Sequence, residues 1–136
     1  MDKHQSFSEF MKQREAAANA YVNGEAGPLR EVASYGLVST FFPPRGGEVI
    51  GANEVWSRYE RDAGGFERGA ETRFEVLQMA EGADMAYWVG FQHATVRSAG
   101  STHPTSMSLR VTEVFRREAG SWKLVHRHAD TMTQAS

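Results

Sequence analysis

Arg110-Val111-Thr112-Glu113-Val114-Phe115-Arg116-Arg117-Glu118-Ala119-Gly120-Ser121-Trp122-Lys123-Leu124-Val125-His126-Arg127-His128 reads as two strands joined by a turn. β-Branched and aromatic residues alternate with polar ones on both sides, and Ala119-Gly120-Ser121 between them is turn chemistry. The hairpin closes a series of four strand-like segments: Glu71–Ala80, Met85–Arg97, Met107–Glu118 and Trp122–Met132. Their other separators are Glu81-Gly82-Ala83-Asp84 and Ser98–Ser106, the latter with a Gly and a Pro.

Upstream, the period changes. Phe7, Phe10, Met11, Arg14, Ala17, Ala18, Tyr21 and Val22 recur at helical spacing, an apolar stripe interrupted only at Arg14. Ser6 with Glu9 three residues later has capping-box spacing, and Gly24 is a natural stop. Gly27-Pro28 predicts a short second helix burying Leu29, Val32 and Ala33. Leu37–Phe42 reads as a strand, broken at Pro43-Pro44-Arg45-Gly46-Gly47, with Glu48-Val49-Ile50 pairing back. Asn53 is the expected N-cap of a third helix. Val55, Trp56, Tyr59 and Ala63 share one side of it, Arg58 and Asp62 pair on the other, and Gly64-Gly65 ends it. Helices first and long antiparallel strands later imply an α+β architecture, with helices packed on one face of a curved sheet. No linker-like stretch divides the chain, so one domain over 1–136 is expected.

The 136 residues carry 15 Lys+Arg against 17 Asp+Glu, a formal charge of −2. A general nucleic-acid binder is normally basic, so no nucleic-acid partner is expected. The chain has no Cys, which excludes disulfides, thiolate nucleophiles, Cys-ligated zinc and iron–sulfur clusters. The polar start, Met1-Asp2-Lys3-His4-Gln5-Ser6, lacks the apolar core of a signal peptide. No run approaches the roughly 18 apolar residues of a membrane span. A cytoplasmic protein with no membrane partner is the expectation. No phosphate-binding loop, dinucleotide fingerprint or zinc-protease motif appears.

The order helix–helix–strand pair–helix–long strands resembles the nuclear transport factor 2-like superfamily. Two stretches carry the likeness: Gly51-Ala52-Asn53-Glu54-Val55-Trp56, and the terminal hairpin with its Thr, bulky hydrophobe, two basic residues, Gly and Trp-x-x-Val-His-x-His. The hairpin pattern is similar to the SnoaL-like branch and to the association domain of calcium/calmodulin-dependent kinase II. The resemblance implies a cone: a curved, antiparallel (mixed) sheet wrapped by three helices, with a pocket at the wide end, in a homodimer. It does not imply one activity, because the superfamily holds isomerases, cyclases, dehydratases, hydrolases and assembly modules. Its steroid isomerases use an Asp base near the end of the first strand and a Tyr on the first helix. Here Phe42 stands at about the Asp place and Ala17 or Ala18 at about the Tyr place, with Tyr21 one turn later. Proton shuttling of that kind does not carry over.

Strand alternation sorts the candidate site residues. Leu109, Val111, Glu113 and Phe115 share a face, so Glu113 is a carboxylate in an apolar row. Facing a cone, it would be desolvated, its pKa raised, and able to act as acid or base. The other reading is an ion pair with Arg73, Arg97 or Arg127. Trp122, Leu124, His126, His128 and Asp130 share a face of the last strand by the same rule, and His93 shares one with Tyr87, Val89 and Phe91. These form the expected polar end of an aromatic pocket, or else bond one another across strands. Any β-bulge inverts such assignments downstream of it. Phe42, Trp56, Tyr59, Tyr87 and Phe91 are the aromatic candidates for the pocket wall, and core residues by default. The His-x-His spacing alone does not make a metal site, and no metal or cofactor is expected.

Two functions from different classes stay open. One is a homodimer binding a small apolar molecule, with Glu113, His126 and His128 as catalytic candidates in an isomerase, cyclase, dehydratase or hydrolase. No Ser–His–Asp arrangement can be located in the sequence, so covalent catalysis is not expected. The other is a non-catalytic association module that buries a sheet face bearing Val114 and Val125 against a partner.

Overall fold

A computed structural model describes residues 5–132 of the chain; the polar stretch Met1-Asp2-Lys3-His4 lies outside the described residues. Helix α1 (Phe7–Val22) follows the apolar stripe. Ser6 Oγ caps it, accepting from the Glu9 N–H at 3.2 Å. Helix α2 (Gly27–Val32) starts at Gly27-Pro28 and buries Leu29 and Val32. Strand β1 (Thr40–Phe42) is shorter than expected: Leu37 and Val38 stay outside it, and Val38 is exposed. Strand β2 (Val49–Ile50) pairs back on β1.

Helix α3 (Ala52–Ala63) takes Gly51, not Asn53, as its N-cap. Gly51 adopts φ 107°, a region open to glycine, and its N–H donates to the Ser39 carbonyl at 2.8 Å. That bond ties the helix start to the approach to β1 and begins the helix before Asn53.

The long strands are β3 (Glu71–Glu81), β4 (Met85–Val96), β5 (Thr105–Glu118) and β6 (Ser121–Thr131). The sheet order is β2-β1-β6-β5-β4-β3. Every pairing is antiparallel except β1 with β6. The result is a mixed α+β fold of three helices and six strands among the described residues. The sheet is not closed into a barrel, since β2 and β3 form its edges.

Residues directly opposed in the register share a face. Trp88, Glu113 and Arg127 form one such row, and Arg14 of α1 reaches Glu113, so this row looks toward the helices. The inner face of β5 also carries Phe115, which packs with Phe7 and Phe10 of α1 at 5.2 Å between ring centroids. Trp88 stacks on Phe74 at 4.5 Å. Beside Trp88 the inner face narrows to Gly90. A bulge at Leu77 carries the β3 backbone across it, and a Cβ there would meet the Glu75 carbonyl at 2.0 Å.

Strand β6 departs from simple alternation. Phe115 opposes Leu124 and Val114 opposes His126, which leaves Val125 unpaired as a bulge. Trp122 and Leu124 face the core, but His126, His128 and Asp130 face outward. The shared face expected for these five residues is therefore broken at Val125, and Arg127 takes the inward position.

Candidate functional site

The inner row builds a buried polar cluster. Glu113 is fully buried and Arg14 is 3% exposed. Glu113 Oε1 accepts from Arg14 Nε at 3.0 Å and from the Trp88 indole N–H at 2.8 Å. Its Oε2 accepts from Arg14 Nη2 and from Arg127 Nη1, each at 2.7 Å. Two donors on each oxygen saturate the carboxylate. Arg127 Nη2 continues the network to Gln92 Oε1 at 2.7 Å, and Gln92 Nε2 donates to Thr72 Oγ1 at 3.1 Å.

Burial pushes the Glu113 carboxyl up, but the Arg14 and Arg127 guanidiniums oppose it with charge and hydrogen bonds and hold it at about 2. Glu113 is thus an ionised anchor at neutral pH. Its electrostatics run opposite to the raised pKa expected from burial alone. Of Arg73, Arg97 and Arg127, it is Arg127 that pairs with Glu113, and the second partner is Arg14 of α1. Its signal was present in the sequence, as the one break in the α1 stripe.

Two cations on one anion leave the cluster with a formal excess of one positive charge. Around it stand Tyr59 and Tyr21, whose hydroxyls burial pushes well above the usual range. The rings meet edge to face at 6.4 Å, and Phe41 packs on Tyr59 at 4.9 Å. The Tyr59 hydroxyl and Ser39 Oγ are buried with no hydrogen-bond partner. Trp56 is half-buried beside Tyr59, with Tyr35 and the Arg30 guanidinium against its ring.

The remaining candidates lie on the other side of the sheet. His126 Nδ1 bonds Thr40 Oγ1 at 2.7 Å, and Phe42 stands edge-on to His126 and His128 at 5.0 and 5.5 Å. Burial, with His128 adding to it, pushes the His126 pKa down. Asp130 takes two bonds from Arg110, at 2.7 and 2.8 Å. Tyr87 donates to Gln78 Oε1 at 2.8 Å, and Phe91 lies 6.1 Å from His93. Glu113, Tyr59 and Trp56 are therefore on the helix side. His126, His128, Phe42, Tyr87, Phe91, His93 and Asp130 are on the outer side. One pocket cannot hold both groups, because the sheet itself stands between them.

Among the described residues, no group of three or more His, Asp or Glu is placed to hold a metal ion, and no helix is long and apolar enough to cross a membrane.

Comparison with known proteins gives the same architecture. A nuclear transport factor 2-like superfamily protein from Salmonella enterica matches over 96% of this chain and 91% of its own, with TM-score 0.78 and 13% identity. The association domain of C. elegans calcium/calmodulin-dependent kinase II matches over 92% and 95%, with TM-score 0.70 and 14% identity. A ketosteroid isomerase-like protein from Erwinia carotovora atroseptica matches over 91% and 94%, with TM-score 0.69 and 15% identity. At these identities the likeness is one of fold. No curated protein sequence matches significantly. The SnoaL-like domain model matches residues 14–133, and the chain belongs to that family.

Proposed function

We propose that the protein is a homodimeric binder of a small molecule with an apolar body and one anionic oxygen group, taken up inside the cone. The observation that carries this is the Tyr59 hydroxyl, buried without a partner beside a cluster with more positive than negative charge. Buried polar groups are nearly always paired, so an orphan of this kind is a place for a ligand or an ordered water. Tyr59 donates to the ligand oxygen, Arg127 and Arg14 supply the charge, and Phe41, Trp56 and Tyr21 supply the apolar wall. Glu113 holds the two guanidiniums in place and has no free lone pair for a substrate proton. This favours binding over acid–base turnover at Glu113.

The test is native mass spectrometry and thermal shift with benzoate and hexanoate. Wild type should gain stability with a probe, and Tyr59→Phe should lose most of that gain while melting no lower without ligand. No gain with either probe, or the same gain in Tyr59→Phe, overturns the reading.

Pairing is the second part of the proposal. The outer face carries Tyr87, Val89 and Val114, half-buried on adjacent strands and, among the described residues, with no helix over them. Association domains are among the similar structures, which supports self-association. Sedimentation should give a dimer, and Val114→Glu a folded monomer. A wild-type monomer removes this part.

A further inference from the structure

The outer face carries another constellation, near the far end of the long strands. An open groove of about 830 Å³ is lined there by Arg73, His93, Thr95, Ser106 and Ser108. Its lining residues His93 and Ser108 stand four residues, about 13 Å at 3.3 Å per residue, beyond the pair Val89 and Thr112, and six residues, about 20 Å, beyond Tyr87 and Val114.

His93 is bonded at both ring nitrogens. Nδ1 is 2.8 Å from Ser108 Oγ, and Nε2 is 2.8 Å from Glu75 Oε1. A carboxylate only accepts, so Nε2 carries its proton. In the neutral ring Nδ1 is then the acceptor, and the Ser108 hydroxyl donates to it. Nucleophile, base and orienting carboxylate are thus in line, the arrangement by which serine acyl-transfer sites are recognised from geometry. The two ring nitrogens exchange the roles they have in the best-known triads, which changes the direction of approach and leaves the proton relay intact. Arg73 lies directly opposite His93 in the register and has no hydrogen-bond or ion-pair partner among the described residues. Its guanidinium is available to a developing oxyanion.

We propose that Ser108, His93 and Glu75 form a hydrolytic site for small carboxylic esters, independent of the cone interior. Ser108 Oγ attacks the ester carbonyl carbon while its proton passes to His93 Nδ1. The bond to the alcohol oxygen breaks, and the alcohol leaves with that proton. Water then gives a proton to the same nitrogen as it attacks the acyl-serine. The bond to Ser108 breaks, the acid departs, and Ser108 recovers its proton.

Intact protein treated with a fluorophosphonate probe and with p-nitrophenyl acetate tests this. One covalent adduct, mapped to Ser108, and release of p-nitrophenol are expected. Ser108→Ala should abolish both, and His93→Gln should slow labelling by about 10²-fold or more. Glu75 is a positioning residue: Glu75→Gln should move the pH profile of labelling, not only its rate. All three side chains are at the surface, and melting curves check that the variants remain folded. An adduct at another residue, no adduct, or equal labelling in His93→Gln overturns the proposal.

Discussion

Glu113 and Asp130 lie on neighbouring strands, and each is gripped by two nitrogens of one arginine. The Arg14 contacts to Glu113 are 3.0 and 2.7 Å; the Arg110 contacts to Asp130 are 2.7 and 2.8 Å. The geometry barely differs, and the surroundings differ completely. The Arg14 and Glu113 side chains are 4% and 0% exposed, those of Arg110 and Asp130 64% and 35%. The inner pair has no water to replace a lost partner, whereas the outer pair is screened and hydrated on both sides. Bond length therefore does not rank these interactions, and burial does.

The largest effect should come from breaking the inner pair. Arg14→Met leaves Glu113 buried with Arg127 as its only cation, and should cost about 3–5 kcal/mol in urea unfolding. If it cost no more than Arg110→Met, burial would not be what separates the two pairs.

Acid should act on the inner side next. The folded-state pKa of Glu113 is depressed to about 2. Its contribution is therefore complete above the ordinary carboxylate range and is lost as pH falls from about 4.5 toward 2, on the order of 3 kcal/mol. Urea midpoints across that window should slope downward with falling pH, and Glu113→Gln should flatten the slope. An unchanged slope in that variant would assign the acid sensitivity to other carboxylates.

Trp88→Phe keeps most of the ring but removes the indole donor to Glu113 Oε1. A loss of about 1–3 kcal/mol is expected, since one buried acceptor position goes unfilled. The smallest effect belongs to Arg110→Met, which should leave the urea midpoint within experimental scatter. A clear destabilisation there would mean that the outer face is covered in solution, and would strengthen pairing through it.

Much of this architecture was legible along the chain. The α1 stripe, the Pro28 helix start and the four long strands are local patterns, and each formed where its period indicated. Even the inner cluster left a trace, since Arg14 interrupts an otherwise apolar stripe and Glu113 an otherwise apolar row. The faces of β6 were not legible beyond Val125. One unpaired residue changes no composition and no turn signal, yet it sent His126, His128 and Asp130 outward and Arg127 inward. The His93 constellation was equally hidden, because Glu75, His93 and Ser108 belong to three strands and meet only through the register of two pairings.

The division follows from what sets each feature. Helix and strand periods come from backbone geometry that neighbouring residues establish among themselves, so the sequence by itself determined the element order, the α+β class and which residues interrupt an apolar face. Tertiary structure decided which side of the sheet each polar residue occupies, and whether Glu113 would be a raised acid or a clamped anion. Those depend on bulges and on Arg14 and Arg127 arriving from distant positions, and they are settled only when the whole sheet and α1 pack together.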